Sequence, residues 1–273
     1  MLVTGAAGML GHDLVPHLAA RHEVTPVDLE VDVTDPAAVG ACVRECGPEV
    51  VFHCAAWTDV DGAEAHESQA AAVNADGARI VAAAAARAGA AMVLPSTDYV
   101  FDGAKGAPYT EDDSPAPLGA YGRTKLAGER AATAAHPGGV RVARTAWLYG
   151  EGGRNFVDTM RRLGEERDEV AVVDDQEGCP TWTRDLAPAL EAVAALPPGV
   201  YHTAGDGSVT WAGLAEAVFA EAGIACRVRP IATRELGRPA PRPARSALAA
   251  TRPGTPRLRA WRAALRDYLG GGR

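Results

Sequence analysis

Thr4-Gly5-Ala6-Ala7-Gly8-Met9-Leu10-Gly11 follows a short apolar run at residues 2–4 and opens a stretch of helical period that continues to residue 20. Three glycines at such a junction permit a tight turn and let the backbone come close to a bound group. The unpaired N–H groups of a helix start carry partial positive charge, so the junction suits a diphosphate. A glycine pattern has little meaning alone, and here a strand before it and a helix after it supply the context. Gly5, Gly8, Met9, Leu10 and Gly11 are therefore the expected phosphate-side contacts of a dinucleotide.

The same strand-then-helix rhythm runs outward from that loop. Further β-rich apolar runs lie at residues 23–27, 50–54, 91–94, 140–143 and 170–173. Helical stretches lie between them at 36–46, 68–88 and 121–135, and Asp35 before Pro36 forms a good cap and first-turn pair. This alternation predicts an α/β fold, a Rossmann-type doubly wound parallel sheet with helices on both faces and a smaller C-terminal substrate-binding lobe. Residues 1–150 are expected to form mainly the dinucleotide-binding domain and 151–273 mainly the lobe, with some segments of the second half returning to the first. After Gly150 the elements shorten. A helix is expected over 211–222, and residues 230–256, with six prolines, read as extended loop before a terminal Gly-Gly-Gly-Arg.

The second predicted strand ends at Val27, and Asp28 follows. A carboxylate there can accept from a ribose hydroxyl and would repel a 2′-phosphate. No Arg or Lys occurs between Asp28 and Arg44, so the local chemistry leans toward NAD(H). The third strand is followed by Ala55, Ala56 and Thr58, small residues that let the backbone approach the cofactor.

Composition narrows the function classes. The 273 residues are 47% hydrophobic, enough to bury a full core, and carry a formal net charge of -8. An acidic chain offers no electrostatic footprint for nucleic acid or an anionic membrane. The N-terminus lacks the pattern of a signal peptide, and no apolar run has the length of a bilayer crossing, so a cytoplasmic location is expected. The five cysteines are scattered and lack zinc-site spacing, which makes them reduced structural thiols, and no metal site is expected.

Tyr121 and Lys125 stand four residues apart in a predicted helix, a spacing that places a phenol beside an ammonium. Such a phenol is a proton donor tuned toward neutral pH. Several further stretches follow one family in order: Phe52 to Asp61, Val73-Asn74, Pro95 to Gly103, Arg144 to Gly150, Asp174 to Thr181 and Arg242 to Ser246. With the glycine loop, they resemble the dTDP-4-dehydrorhamnose reductase family of extended short-chain dehydrogenase/reductases.

The resemblance implies Thr97, Tyr121 and Lys125 as the catalytic trio, with NADPH or NADH as hydride source and a dTDP-4-keto-6-deoxy sugar as substrate. It implies Asp32 and Val33 beside the adenine, and Asp98 and Trp147 against the substrate. Strand alternation should turn Ser96 to the face opposite Thr97. Tyr99 occupies the position where related 4,6-dehydratases carry a Glu, so water elimination lacks its second carboxylate. The Pro-rich region is expected to close over the sugar nucleotide, with Arg238, Arg242 and Arg245 as unranked partners for its diphosphate. Ser246-Ala247-Leu248-Ala249 departs from the family, which commonly has an acidic residue after the Leu. A related deoxysugar 4-ketoreductase is the nearest alternative, followed by a nucleotide-sugar 4-epimerase and a non-catalytic regulatory subunit. A homodimer is allowed by the resemblance.

Overall fold

Six short strands with buried residues on both faces build the centre of the molecule, as a parallel sheet requires. They are β1 (Leu2–Thr4), β2 (Thr25–Val27), β3 (Val50–His53), β4 (Ala91–Thr97), β5 (Val140–Thr145) and a sixth, Gly199–His202. The computed structural model describes residues 1–270; Gly271 to Arg273, most of the Gly-rich end, lie outside the described residues. In space the order is Gly199–His202, β5, β4, β3, β1, β2, every neighbouring pair parallel. The chain adds β2 on one side of β1 and β3 on the other. The topological switch point therefore lies between β1 and β3, where ligands bind in such sheets.

Alternate residues of each strand serve opposite layers. Leu2, Val51 and Met92 pack with Val39 and Val43 of α2 (Pro36–Cys46) and with the helix Ala78–Ala88. Val3, Phe52 and Val93 face Leu14 and Leu18 of α1 (Met9–Ala19) and Leu186 and Leu190 of the helix Thr183–Ala194. The lobe has a core of its own, including Tyr149, Met160, Trp182, Leu214, Phe219 and Leu265. α2 runs as its sequence predicts: the Asp35 side chain accepts from Ala37 N at 2.8 Å, and Gly47 at φ 52° ends it.

Other segments depart from expectation. The helix predicted over 68–88 is divided into Glu67–Ala71, a π-helical turn Ala72–Gly77 and Ala78–Ala88. The wide turn directs Asn74 inward, where its side chain accepts from Trp57 N at 2.9 Å and donates to Thr124 Oγ1 at 3.0 Å. The run at 170–173 forms a strand, Glu169–Val173, but outside the central sheet, paired in parallel with Arg227–Ile231. That pairing also corrects the loop reading of 230–256: Pro230 and Ile231 complete a strand, and Thr233–Leu236 is a helical turn. The strand Gly199–His202 and the helices Phe156–Glu166, Thr183–Ala194 and Trp261–Gly270 were outside the expected pattern. No helix among the described residues is long and apolar enough to cross a membrane.

Candidate active site

A cavity of about 1070 Å³ opens at the C-terminal ends of β1, β3, β4 and β5, bordered by the lobe. Its wall carries the expected glycine-loop, Asp28, Asp32, Val33, Ala55, Ala56, Thr58, Thr97, Asp98, Tyr121, Lys125 and Trp147 positions, but not the three arginines expected to meet the substrate diphosphate.

The glycine loop forms one end. Gly5 sits at φ 68°, and a Cβ there would meet Ala55 N at 2.5 Å. A Cβ on Gly11 would meet Ala6 O at 2.4 Å, so both positions need glycine because backbone lies against backbone. Gly8 is the cap residue of α1 and offers no side-chain acceptor, which leaves the first-turn N–H groups of Met9, Leu10 and Gly11 available to an anion. Ala7 N donates to Asp28 Oδ2 at 2.7 Å, fixing the β2-end carboxylate against the loop. Asp32 and Val33 follow on the same wall, with Asp32 Oδ1 accepting from Thr34 N and Oγ1 at 2.9 and 2.7 Å. Ala55, Ala56 and Thr58 line the side contributed by the β3 end. A tight backbone cradle, orphan donors and a carboxylate one strand away fit the diphosphate and ribose of a dinucleotide.

Thr97, Asp98, Tyr121, Lys125 and Trp147 lie on the wall beyond the β4 and β5 ends, where Thr97 and Thr145 stand level across the sheet. Thr97 Oγ1 accepts from Tyr99 N at 3.1 Å and donates to Asp98 Oδ1 at 3.2 Å. Burial drives the Tyr121 phenol up to about 12, the Asp98 charge adds to that, and a hydrogen bond with Thr97 opposes it. The expected tuning of Tyr121 toward neutrality is thus overridden by desolvation. The phenol is held in its acid form. Burial lowers Lys125 to about 8 against the countering charge of Glu129, and its Nζ donates to Pro95 O at 2.9 Å. Asp98 is raised to about 7 by burial, with hydrogen bonds from Ser246 and Thr97 opposing.

Beneath these groups Ser96 Oγ donates to Glu129 Oε1 at 2.5 Å, and Glu129 accepts from Arg144 Nε at 3.0 Å and Nη2 at 2.7 Å. Ser96 thus turns away from Thr97 as alternation predicts, although it also borders the cavity. The ion pair is nearly dry, with both side chains 5% exposed. His53, bonded to Thr4 Oγ1 at 2.7 Å, is lowered to about 3 by burial first and Lys125 second, so it is a neutral floor residue.

On the lobe side, Trp147 has φ 47°, the one positive φ outside glycine among the described residues. Such a conformation costs about 1–3 kcal/mol and persists only where its surroundings enforce it. Its ring stacks on Trp211 with centroids 3.5 Å apart and planes 2° from parallel. Tyr99 packs edge-on against Tyr121 with ring centroids 5.9 Å apart, and burial raises its phenol, with the nearby Arg242 cation opposing. Arg238 and Arg242 both pair with Asp61 at 3.0 Å, whereas Arg245 is 64% exposed beside Glu177. None of the three borders the cavity; among the described residues the arginine that does is Arg154. Arg154 and Trp211 carry no local sequence signal, because they reach the cavity only through packing of the lobe.

A family model described as "RmlD substrate binding domain" matches residues 1–271. The chain is 48% identical to a dTDP-4-dehydrorhamnose reductase of Streptomyces griseus, over 97% of this chain and 91% of the relative. It is 46% identical to a probable dTDP-4,6-dihydroxy-2-methyloxan-3-one 4-ketoreductase of Streptomyces antibioticus, over 97% and 93%. Among solved structures it resembles a Bacillus anthracis dTDP-4-dehydrorhamnose reductase in complex with NADP, with a TM-score of 0.96 and 38% identity over 99% of this chain and 98% of the other. Fold, glycine cradle and sequence agree, and the chain belongs to the dTDP-4-dehydrorhamnose reductase family.

Proposed function

We propose that this chain reduces the C4 ketone of a dTDP-4-keto-6-deoxy-L-hexose with NADPH or NADH, in the simplest case dTDP-4-dehydro-L-rhamnose to dTDP-L-rhamnose. The observation that carries the reading is a protonated phenol, Tyr121, with Thr97 and Lys125 on the wall of the same cavity that holds the glycine cradle. When bound, the nicotinamide supplies hydride to the carbonyl carbon. Thr97 hydrogen-bonds the ketone oxygen, and Tyr121 gives its proton to that oxygen as negative charge develops there. Lys125, an ammonium below about pH 8, offsets the charge left on the phenolate and holds the nicotinamide ribose. Asp98 and Trp147 orient the sugar. Arg154, a cation on the cavity wall, meets a phosphate.

NADPH is supported by the cofactor in the Bacillus anthracis relative. Asp28 at the ribose position supports NADH. The likeness to the Streptomyces antibioticus ketoreductase favours a second reading, a related deoxysugar ketone reduced at the same site. Supplying either sugar with NADPH and NADH in parallel, and following loss of reduced-nicotinamide absorbance and product stereochemistry, separates these readings. Absence of cofactor oxidation with every pair sinks the reductase. An epimerase would retain its cofactor through both half-reactions, so release of NADP+ or NAD+ at each turnover rejects that alternative; a regulatory subunit would give no turnover. Free thiols at all five cysteines support a cytoplasmic location. The homodimer carried by the resemblance is tested by light scattering.

A further inference from the structure

The reacting end of the cavity has an aromatic wall with an unusual support. Trp147 follows β5 in the left-handed region at φ 47°; its carbonyl accepts from Thr181 N at 3.2 Å, and the next residues, Leu148–Tyr149, pair with Thr181–Trp182. The support comes from the lobe. Trp211 lies flat against the Trp147 ring at 3.5 Å, and Gly178 approaches so closely that a Cβ there would sit 2.4 Å from Trp147 Cε2. Trp211 is itself held in place. Its Nε1 donates to Gln176 Oε1 at 3.1 Å, Phe156 packs on it at 4.5 Å, and Thr210 caps the helix Trp211–Ala222 that it begins. Gln176 is buried, and its Nε2 donates to Thr233 Oγ1 at 2.9 Å. Both tryptophans border the cavity.

We propose that Trp211 is a positioning residue for the sugar nucleotide: by stacking, it fixes the indole of Trp147 as an apolar plane at the reacting end. The proposal rests on the reductase reading. A 6-deoxyhexose presents C–H groups and a C6 methyl, the surface that an indole plane receives best. Without the Trp211 ring, the Trp147 indole loses the partner that fixes its orientation, and the plane is lost. The glycine cradle is built from the β1–α1 backbone and is unaffected, so sugar and cofactor binding separate.

The test uses the full-length protein and two variants, Trp211→Leu and Trp211→Phe. Far-ultraviolet circular dichroism reads the exciton couplet of the stacked indoles, titration gives NADPH affinity, and steady-state kinetics give kcat and KM for dTDP-4-dehydro-L-rhamnose. Trp211→Leu is expected to lose the couplet and raise sugar KM about tenfold, with NADPH affinity within about twofold of the parent. Trp211→Phe, which restores a stacking ring, returns KM to within about threefold of the parent. The proposal is overturned by an unchanged KM in the Leu variant, by NADPH affinity falling in parallel with KM, or by absence of the couplet from the unaltered protein. If the Leu variant does not fold, the parent couplet and the KM of the Phe variant decide. If the unaltered protein turns over no sugar, the reductase reading falls, and calorimetric affinity for dTDP-L-rhamnose in parent and variants decides the role of Trp211.

Discussion

The two ends of the cavity are built by different means. The cofactor end is backbone: residues 5–11 form a turn in which Gly5 and Gly11 lie against main-chain atoms of Ala55 and Ala6, and the donors are N–H groups. The proposed sugar end is made of side chains brought from distant parts of the chain: Ser246 onto Asp98, Trp211 onto Trp147, and Arg242 onto Asp61. A backbone cradle recognises a diphosphate that any dinucleotide carries, whereas an assembled side-chain wall is the part that distinguishes one sugar from another. Changes at one end should therefore leave the other nearly intact.

Tyr121→Phe is the most severe test, because it removes the proton while keeping the ring packed against Tyr99. Turnover should fall by roughly 10²–10⁴-fold with NADPH affinity unchanged, as read by single-turnover kinetics and cofactor titration. Comparable turnover in that variant would remove Tyr121 as the acid. Gly11→Ala comes next, since its Cβ would sit 2.4 Å from Ala6 O with no flexible atom to yield. Overpacking of about 1–3 kcal/mol predicts roughly tenfold or greater loss of NADPH affinity, with little change in calorimetric affinity for dTDP-L-rhamnose. Equal loss of both ligands would break the division between the two ends.

Ser246→Ala tests the opposite end. It removes a hydrogen bond to the buried Asp98, and an unsatisfied polar group costs about 1–3 kcal/mol. Steady-state assays should show sugar kcat/KM falling about tenfold, a fall expressed through Asp98, while cofactor affinity holds. Unaltered sugar kinetics would show that Asp98 needs no support from the lobe.

The smallest effects are those of pH. Lys125, lowered to about 8, loses its proton as pH rises through that value, so turnover should decline on the alkaline side of about 8; a rate flat to pH 10 would contradict its role. Asp98 gives a stability signature instead. The folded protein keeps that proton up to about 7, whereas an unfolded chain releases it near 3.8. Between those values the native state binds more protons, so this contribution to stability declines as pH rises from 3.8 to 7 and is level above. Asp98→Asn should flatten that slope in denaturation midpoints measured across the interval.

Much of the first half was legible because its signals are local. Helix α2 begins and ends where Asp35, Pro36 and Gly47 place it, and the glycine loop lies between the strand and helix it predicts. Segments whose partners are remote were less legible. The four-residue strand Gly199–His202 directly follows Pro197-Pro198, is too short for a periodic pattern, and joins the sheet only because β5 offers an open edge. The helix expected over 68–88 breaks at a π turn because Asn74 finds Trp57 and Thr124 across the fold.

The sequence by itself determined the β/α alternation and the phosphate cradle, which follow from residue type and nearest-neighbour spacing, while its resemblance to the reductase family singled out Thr97, Asp98, Tyr121 and Lys125 as the expected site residues. Only the tertiary structure decided the state of those groups. Burial, set by everything packed around them, raises Tyr121 and Asp98, lowers Lys125, and leaves the Trp147 indole packed against Trp211 and Gly178 from another part of the chain. Desolvation and long-range packing depend on where the whole chain goes, and no local spacing encodes them.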